Sequence, residues 1–215
     1  MYRFVVKRIL DLLIGVMAFP VFLVCLIIFG PIIKLTDKGP VFYNAKRIGK
    51  NGKLFKMYKF RSMYVNAPDI RNADGSTYNG EDDPRVTKVG RFMRSTSIDE
   101  IPQILNILNG SMSLIGPRPD PPDDMLVYTE EQKGKLKVSP GLTGYNQAYF
   151  RNSVEQNEKF KHDLYYANNI SFVLDLKIFF KTIITVLKHE SVYNCASAPD
   201  QEELEKLGNV HDVEK

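Results

Sequence analysis

The sequence Arg94-Ser-Thr-Ser-Ile-Asp-Glu-Ile-Pro-Gln-Ile-Leu-Asn-Ile-Leu-Asn-Gly110 places two adjacent acids, Asp99 and Glu100, at the start of a short helix. The i, i+3, i+4, i+7 spacing of an amphipathic helix is followed by Ile101, Ile104, Leu105 and Leu108. Asn109-Gly110 predicts a left-handed helix stop. Pro102 lacks an N–H and must lie in the first turn, which puts Asp99 at or next to the N-cap and Glu100 just inside.

The acid pair has two interpretations. Asp is a favoured N-cap, and Ser97-x-x-Glu100 fits a capping box, so both acids could serve the helix alone. Alternatively, a helix N-terminus with Arg91, Arg94 and Arg118 close in sequence predicts an anion site. In such a site the Asp could attack a phosphoanhydride to give an acyl phosphate, and the Glu could hold a metal ion that bridges the phosphates.

A series of short motifs runs along most of the chain. They are Lys7-Arg-x-x-Asp11, Gly39-Pro-Val-Phe42, Arg47-Ile-Gly-Lys-Asn-Gly52, Tyr58-Lys-Phe-Arg-Ser-Met63, Ser97-Ile-Asp-Glu-Ile-Pro-Gln103, Ser113-Leu-Ile-Gly-Pro-Arg-Pro119, Pro140-Gly-Leu-Thr-Gly144 and Leu174-Asp-Leu-Lys-Ile178. Together they resemble the bacterial sugar transferases of the small monotopic phosphoglycosyl transferase kind, over roughly residues 1 to 190.

The resemblance implies an enzyme that moves a sugar 1-phosphate from a UDP-sugar to polyprenyl (undecaprenyl) phosphate and releases UMP, the first membrane step of glycan assembly. It makes Asp99 the nucleophile of a covalent intermediate and Glu100 a ligand of Mg2+. The matching motifs include Lys59, Arg94 and Arg118, which are expected around the diphosphate. The residues themselves leave two alternatives open: a nucleotide-sugar pyrophosphatase that uses Glu100 and a metal to activate water, and a non-enzymatic membrane tether.

Residues 9–33 are almost wholly apolar and long enough to span a bilayer as a helix. Pro20 removes a helical hydrogen bond near the midpoint and favours a kink, and Gly30-Pro31 is expected to end the helix. Basic residues flank both ends, so the positive-inside rule assigns no orientation. We expect a re-entrant helix, as the resemblance implies, although the family commonly has Ser-Pro where this chain has Phe19-Pro20. A single-pass anchor and a signal peptide are the alternatives.

This interpretation divides the chain into a membrane segment (1–36), a catalytic domain on the cytoplasmic face of the bacterial inner membrane (37–195) and an acidic, disordered tail (196–215). The net charge is +4 although the tail is acidic, so the body is distinctly basic. Binding to anionic lipid and to sugar nucleotides explains this charge with fewer assumptions than binding to nucleic acid. Two cysteines cannot form a disulfide framework, which fits a reducing compartment. The sequence is also compatible with a homo-oligomer.

The remaining patterns predict a mostly helical α+β fold with a small hairpin. Two strand-like runs, at 41–43 and 54–60, flank a turn at 49–52. Alternation along the second run places Lys59 and Arg61 on one face, either as substrate-binding cations or as part of a solvated strand face.

Two longer segments complete the sequence. Residues 172–187 predict an amphipathic helix that suits either the membrane interface or a core. Residues 64–88 predict a long loop, which is either a lid over the sugar nucleotide or plain mobile surface. Within this loop, the acids at 81–83 are more typical of a solvated cluster than of a metal site.

Overall fold

The computed structural model describes residues 2–70, 78, 80, 82–150, 154 and 156–188. The α-helices are α1 (Lys7–Asp37), α2 (Lys88–Ser95), α3 (Ile104–Asn109), α4 (Tyr145–Tyr149), α5 (Gln156–Asn168) and α6 (Phe172–Leu187). The strands are β1 (Phe42–Ile48), β2 (Leu54–Phe60), β3 (Ser113–Ile115) and β4 (Gly141–Thr143). The fold is α+β and mostly helical, which confirms the predicted class. The acidic tail lies outside the described residues.

The helix α1 is long, apolar and continuous. It contains both Pro20 and Pro31 and ends only at Lys38, whose φ is 58°. The prediction that Gly30-Pro31 ends the helix is therefore wrong, and Pro20 does not interrupt it either. With the π-helical turn Tyr2–Val6 before it, the segment is long and apolar enough to cross a membrane by length and composition.

Both ends of α1 are bound to the same folded domain. Near its start, Lys7 Nζ lies 2.8 Å from Asp175 Oδ2 on α6, and Asp11 Oδ1 accepts a 2.9 Å hydrogen bond from the Leu114 backbone N–H at β3. At its other end, the carboxylate of Asp37 forms an ion pair with Arg61, which follows β2. The helix therefore lies along the domain rather than projecting from it.

The main core forms where α1 meets the hairpin and the acid segment. Its buried members are Phe22, Ile33, Phe60, Met93 and Ile104. Phe42 and Phe60, which are paired across the hairpin, stack with their ring centroids 5.6 Å apart, and Phe22 packs on both. The predicted apolar stripe from Ile101 to Leu108 packs against this cluster, as expected.

The helix α3 packs on two sides, so it is not one-faced as its stripe suggested. Ile107 joins a second cluster with Met57 and Met112. The side chain of Asn106 joins α3 to β2, because it donates to Lys56 O at 2.7 Å and accepts from Tyr58 N at 2.9 Å. These bonds fix the segment that carries the acid pair against the hairpin.

The end of α3 is also held by α1. Gly110 has a φ of 85°, which confirms the predicted left-handed stop. The last carbonyls of α3 accept hydrogen bonds from the Arg8 guanidinium, at 2.6 Å for Ile107 O and 3.0 Å for Leu108 O. A cation at a helix C-terminus satisfies unpaired carbonyls and complements the helix dipole.

The predicted hairpin is confirmed and is longer than predicted. The antiparallel register pairs Tyr43 with Lys59 and Arg47 with Phe55. Its turn uses positive φ at Asn51 (56°) and Gly52 (76°), as short hairpin connections commonly do.

A second, parallel sheet joins β3 to β4 and was not predicted. A Cβ placed on Gly141 would lie 2.1 Å from Gly116 N, so only glycine allows the two backbones to approach this closely. The segment Pro117-Arg-Pro119 leaves β3 at the carboxyl end of this sheet, where α/β folds commonly place ligand contacts.

The helix α6 has the bounds predicted from sequence. It buries Asp175, Ile178 and Thr185 on one side. Large apolar side chains are exposed on the other: Phe172, Val173, Leu176, Phe180, Ile183, Ile184 and Leu187.

Part of the predicted loop at 64–88 is described, and side-chain contacts join it to itself. Asp83 is fully buried and pairs with Arg85, whose Nη2 lies 2.7 Å from Asp83 Oδ2. The same guanidinium donates to the carbonyls of Pro68 and Tyr78. The interpretation of Asp83 as part of a solvated acidic cluster is therefore wrong; Glu81 lies outside the described residues.

Candidate active site

The acid pair lies on a 3-10 helix, Ile98–Gln103, which leads directly into α3. Its N-cap is Ser97, with a φ of 59° and no side-chain capping bond. Asp99 is thus the second helical residue and not the cap. This corrects the predicted position and rules out the capping-box interpretation for this helix, because the capping hydroxyl makes no such bond.

Asp99 is poised as a desolvated carboxylate. Only 8% of its surface is exposed, and it accepts no hydrogen bond from the described residues. Burial raises the pKa of Asp99 to about 6 and the negative charge of Glu100 adds to the rise, while the positive charge of Lys59 opposes it. A carboxylate with few partners and little water around it retains its nucleophilicity.

Glu100 links two of the predicted cations. Its Oε1 lies 2.6 Å from Lys59 Nζ and 3.9 Å from Arg118 Nη2. The Arg118 side chain is 55% exposed, so the guanidinium faces open space beside the acid pair. Two acids and two cations from three separate segments therefore meet at one place.

The other predicted cations differ in position. Arg94 Nε donates to Ser62 Oγ at 2.9 Å. The positive charge of Arg94 opposes the rise in the pKa of Asp99, so Arg94 belongs to the cluster. Arg91 instead lies 3.9 Å from Asp82. The structure does not bring Arg91 to the acid pair.

The prediction that Arg61 binds substrate is corrected. Its side chain is only 7% exposed, and its guanidinium donates to Asp37, Pro40 O and Ile33 O. These bonds close the end of α1 against the hairpin. Alternation along a strand predicts a shared face with Lys59, but it could not show that the end of α1 would take up the Arg61 donors.

Glu100 was also predicted to bind Mg2+. The described residues contain no group of three or more His, Cys, Asp or Glu that could hold a metal ion. Mg2+ commonly uses only one or two carboxylates together with substrate phosphates. The Glu100 carboxylate, beside the place where the diphosphate would lie, fits that arrangement, with the diphosphate supplying remaining ligands that the protein does not provide.

A buried charge network fixes the segment that carries Arg118, and sequence reasoning missed it. Lys135 Nζ lies 2.6 Å from Asp120 Oδ2 and 2.8 Å from Asp163 Oδ2, and its side chain is only 4% exposed. Asp120 also accepts a hydrogen bond from the Tyr128 hydroxyl. Burial alone would lower the pKa of Lys135, but the two carboxylates raise it above its ordinary value. The only sequence signal was that Asp120 directly follows the Gly-Pro-Arg-Pro motif.

Comparison with known proteins gives the same assignment as the motifs. Residues 2–189 match the bacterial sugar transferase family. The chain is 40% identical over 193 residues to the uncharacterized sugar transferase EpsL of Bacillus subtilis, with 87% of this chain and 90% of EpsL covered.

Two further relatives have more specific names. The undecaprenyl-phosphate galactose phosphotransferase of Salmonella typhimurium is 37% identical over 204 residues, with 87% of this chain and 41% of the relative covered. The UDP-glucose:undecaprenyl-phosphate glucose-1-phosphate transferase of Klebsiella pneumoniae is 38% identical over 197 residues, covering 88% and 42%. The chain spans less than half the length of these two proteins. On these matches, the chain belongs to the bacterial sugar transferase family and is a transferase.

Proposed function

We propose that this protein transfers a sugar 1-phosphate from a UDP-sugar to polyprenyl phosphate through a covalent intermediate on Asp99. The observation that supports this most is the buried Asp99 carboxylate beside Lys59, Arg94 and Arg118, a cluster suited to an anionic, phosphate-bearing substrate. The names of the Salmonella and Klebsiella relatives support the donor and acceptor classes.

The chemistry has two displacements at one phosphorus. First, a carboxylate oxygen of Asp99 bonds to the phosphorus that carries the sugar, and the bond to the bridging oxygen breaks, so UMP leaves with that electron pair. Second, a phosphate oxygen of the acceptor attacks the same phosphorus, and the Asp99–phosphorus bond breaks. The carboxylate is regenerated and the product is a polyprenyl diphosphate sugar. Splitting the transfer in this way replaces one difficult encounter with two easier ones.

The cations of the site stabilise the charge that shifts toward the leaving phosphate. Arg118 projects from a segment held by Asp120 and Lys135, so its guanidinium is placed before substrate binds. Lys59 holds the Glu100 carboxylate. Mg2+, held by Glu100 and the diphosphate, would neutralise phosphate charge when bound.

A test of this function compares UMP release with and without acceptor. We expect a single equivalent of UMP from UDP-sugar alone and continuous release only when polyprenyl phosphate is supplied. Continuous release without acceptor would identify a hydrolase instead. No UMP from any of a panel of UDP-sugars would contradict the proposal.

The first displacement should depend on pH through Asp99. Because burial raises its pKa to about 6, only about a tenth of the carboxyl is ionised at pH 5 and about nine-tenths at pH 7. The single-turnover rate of UMP release should rise about tenfold over this range. In Lys59→Gln the rate falls and its midpoint moves to higher pH, since a positive charge that lowers the pKa is lost. The control is Lys133→Gln, whose midpoint should equal that of the wild type. A pH-independent rate, or an unchanged midpoint in Lys59→Gln, would contradict this assignment.

We also propose that α1 is membrane-associated with both of its ends on the cytoplasmic side. Lys7 and Asp11 contact the domain near one end of α1, and Asp37 contacts it near the other. A bilayer could not separate the two ends without breaking one set of these bonds. The exposed apolar side chains of α1 and α6 supply a surface for lipid, and the Tyr2 and Phe172 rings, 5.8 Å apart, join the starts of the two helical segments.

Topology can be tested with tags at Met1 and Lys215. We expect that neither tag is labelled in intact cells by an impermeant reagent, and that both are labelled after permeabilisation of the inner membrane. A single-pass helix would put the two tags on opposite sides. Labelling of one tag from outside would therefore contradict the proposed topology.

A further inference from the structure

Arg47 lies near Arg118 and has no role in the site as described so far. It is the residue before the last in β1. The next residue, Ile48, donates its backbone N–H to Asp120 O at 2.9 Å, so the end of β1 runs beside the segment that carries Arg118. Ile48 and Gly49 line the same small cleft as Arg118 and its flanking prolines.

The charge around Arg47 is that of an anion site. The side chain is half-buried, and its one hydrogen bond to the described residues is a long one, 3.4 Å, to the neighbouring Lys46 O. No carboxylate of the described chain lies within ion-pairing distance of it. Burial lowers the pKa of Arg47, and the positive charge of Arg118 lowers it further. The negative charges of Asp120 and Asp124 oppose this effect.

The carboxylate of Asp120 is already shared with Lys135 and Tyr128. Two guanidinium groups that repel each other at a partly desolvated place are stabilised by an anion bound between them. Arg118 has Glu100 Oε1 3.9 Å away on one side, but no carboxylate of the described residues pairs with Arg47, and a phosphate between the two guanidinium groups would supply that negative charge.

The hairpin register places this pair relative to the acids. Because Tyr43 pairs with Lys59, and Arg47 is four residues beyond Tyr43, Lys59 and Arg47 share one face of the hairpin. They are separated by roughly 13 Å along it. Contacts run between them from Lys59 to Glu100 and from Glu100 to Arg118. The cations thus form an extended track that begins at the acid pair.

The position of Arg47 on this track indicates which phosphate substrate it binds, the nucleotide-sugar donor or the polyprenyl phosphate acceptor. The Phe42 and Phe60 end of the hairpin packs on Phe22 of α1, which is the apolar side of the molecule. Arg47 lies at the opposite end of the hairpin. The cations with the strongest effect on the pKa of Asp99 are Lys59, Arg94 and Arg118, and Arg47 is not one of these. A phosphate at Arg47 is therefore one step removed from the reacting phosphorus and distant from the apolar helix.

We infer that Arg47 and Arg118 together bind the phosphate that leaves with the nucleoside, the α-phosphate of the nucleoside diphosphate sugar. Arg118 contacts both phosphates of the donor, and Arg47 contacts only the departing one. This inference rests on the proposed function, since it needs a nucleoside diphosphate donor. It gives Arg47 a substrate-binding role in donor recognition and in retention of the nucleoside monophosphate product.

The test uses UMP as the probe and the full detergent-solubilised chain. In Arg47→Gln we expect the Kd of UMP to rise about tenfold to a hundredfold, the effect of losing a charge-assisted hydrogen bond. Arg47→Lys keeps the charge without the planar fork and should fall between this variant and the wild type. Lys46→Gln is the matched control. Lys46 is adjacent to Arg47 in sequence and exposed, and in the strand register it lies opposite Lys56, on the other face of the hairpin. Its Kd should not change.

The turnover measurements add a second readout. In both Arg47 variants the KM for the UDP-sugar should rise while the KM for polyprenyl phosphate stays within about twofold of the wild-type value. A UMP Kd within about twofold of wild type in Arg47→Gln, or no UMP binding by the wild type, would overturn the inference. A raised KM for the acceptor alone would overturn it too, because the bound phosphate would then be the lipid's. If the wild type binds UMP through Arg47 but transfers no sugar phosphate, the proposed function fails while the subsite stands.

Discussion

Replacement of Asp99 by Asn should lower turnover by at least about a thousandfold, because the amide cannot form the acyl phosphate. The change is nearly isosteric and removes one negative charge from a cluster that contains Lys59, Arg94 and Arg118. Nucleotide binding should therefore persist or strengthen. Steady-state UMP release in the presence of acceptor measures the first effect, and UMP binding measures the second.

The control for this variant is Glu130→Gln. Glu130 is an exposed acid whose ion pair, within the described part of the chain, is with Lys133 on the same short segment. It should keep the wild-type rate. If Asp99→Asn retained more than about a tenth of the wild-type rate while Glu130→Gln was normal, Asp99 would not be the nucleophile.

Replacement of Arg118 by Lys should slow UMP release by about a hundredfold to a thousandfold, the usual cost of losing one donor from a preorganised site. Lys keeps the charge but loses the planar fork that matches two phosphate oxygens. The prolines and the buried Asp120–Lys135 pair hold the backbone at this position, so a shorter side chain cannot be compensated by movement of the segment. The fold should be unaffected, since 55% of the side chain is exposed.

Initial rates at matched yields of folded protein decide the outcome for Arg118. An ordinary surface arginine would show a change of less than about twofold. Near-equal rates in Arg118→Lys would therefore remove Arg118 from the active site and leave the phosphate to the other cations.

Sequence patterns predicted the parts of the fold that depend on local spacing. The bounds of α6 and the second strand of the hairpin follow from periodicity, and the stop at Gly110 follows from the backbone freedom of glycine. The parallel pair of β3 and β4 could not be predicted, because each strand has only three residues. Their pairing depends on a close approach of Gly116 and Gly141, which are distant in sequence.

The candidate site was predicted only in part, because contacts between segments distant in sequence decide which side chains meet there. Asp99 and Glu100 were identified from their neighbours in sequence, but the roles of the cations depend on tertiary contacts. Arg61 and Lys59 are two residues apart, yet one binds the end of α1 and the other binds Glu100. The course of α1 also depends on tertiary contacts. Its prolines predict a break, but α1 is continuous and packs along the domain.

The most direct test of the covalent mechanism is to trap the intermediate. Protein is mixed with UDP-sugar labelled at the sugar-bearing phosphate, without acceptor, and is then digested and analysed by mass spectrometry. We expect about one sugar-phosphate adduct per active enzyme on the peptide that contains Asp99, sensitive to hydroxylamine as an acyl phosphate should be, and discharged by added polyprenyl phosphate. Turnover with acceptor, but with no adduct and no stoichiometric UMP release in its absence, would contradict the covalent mechanism.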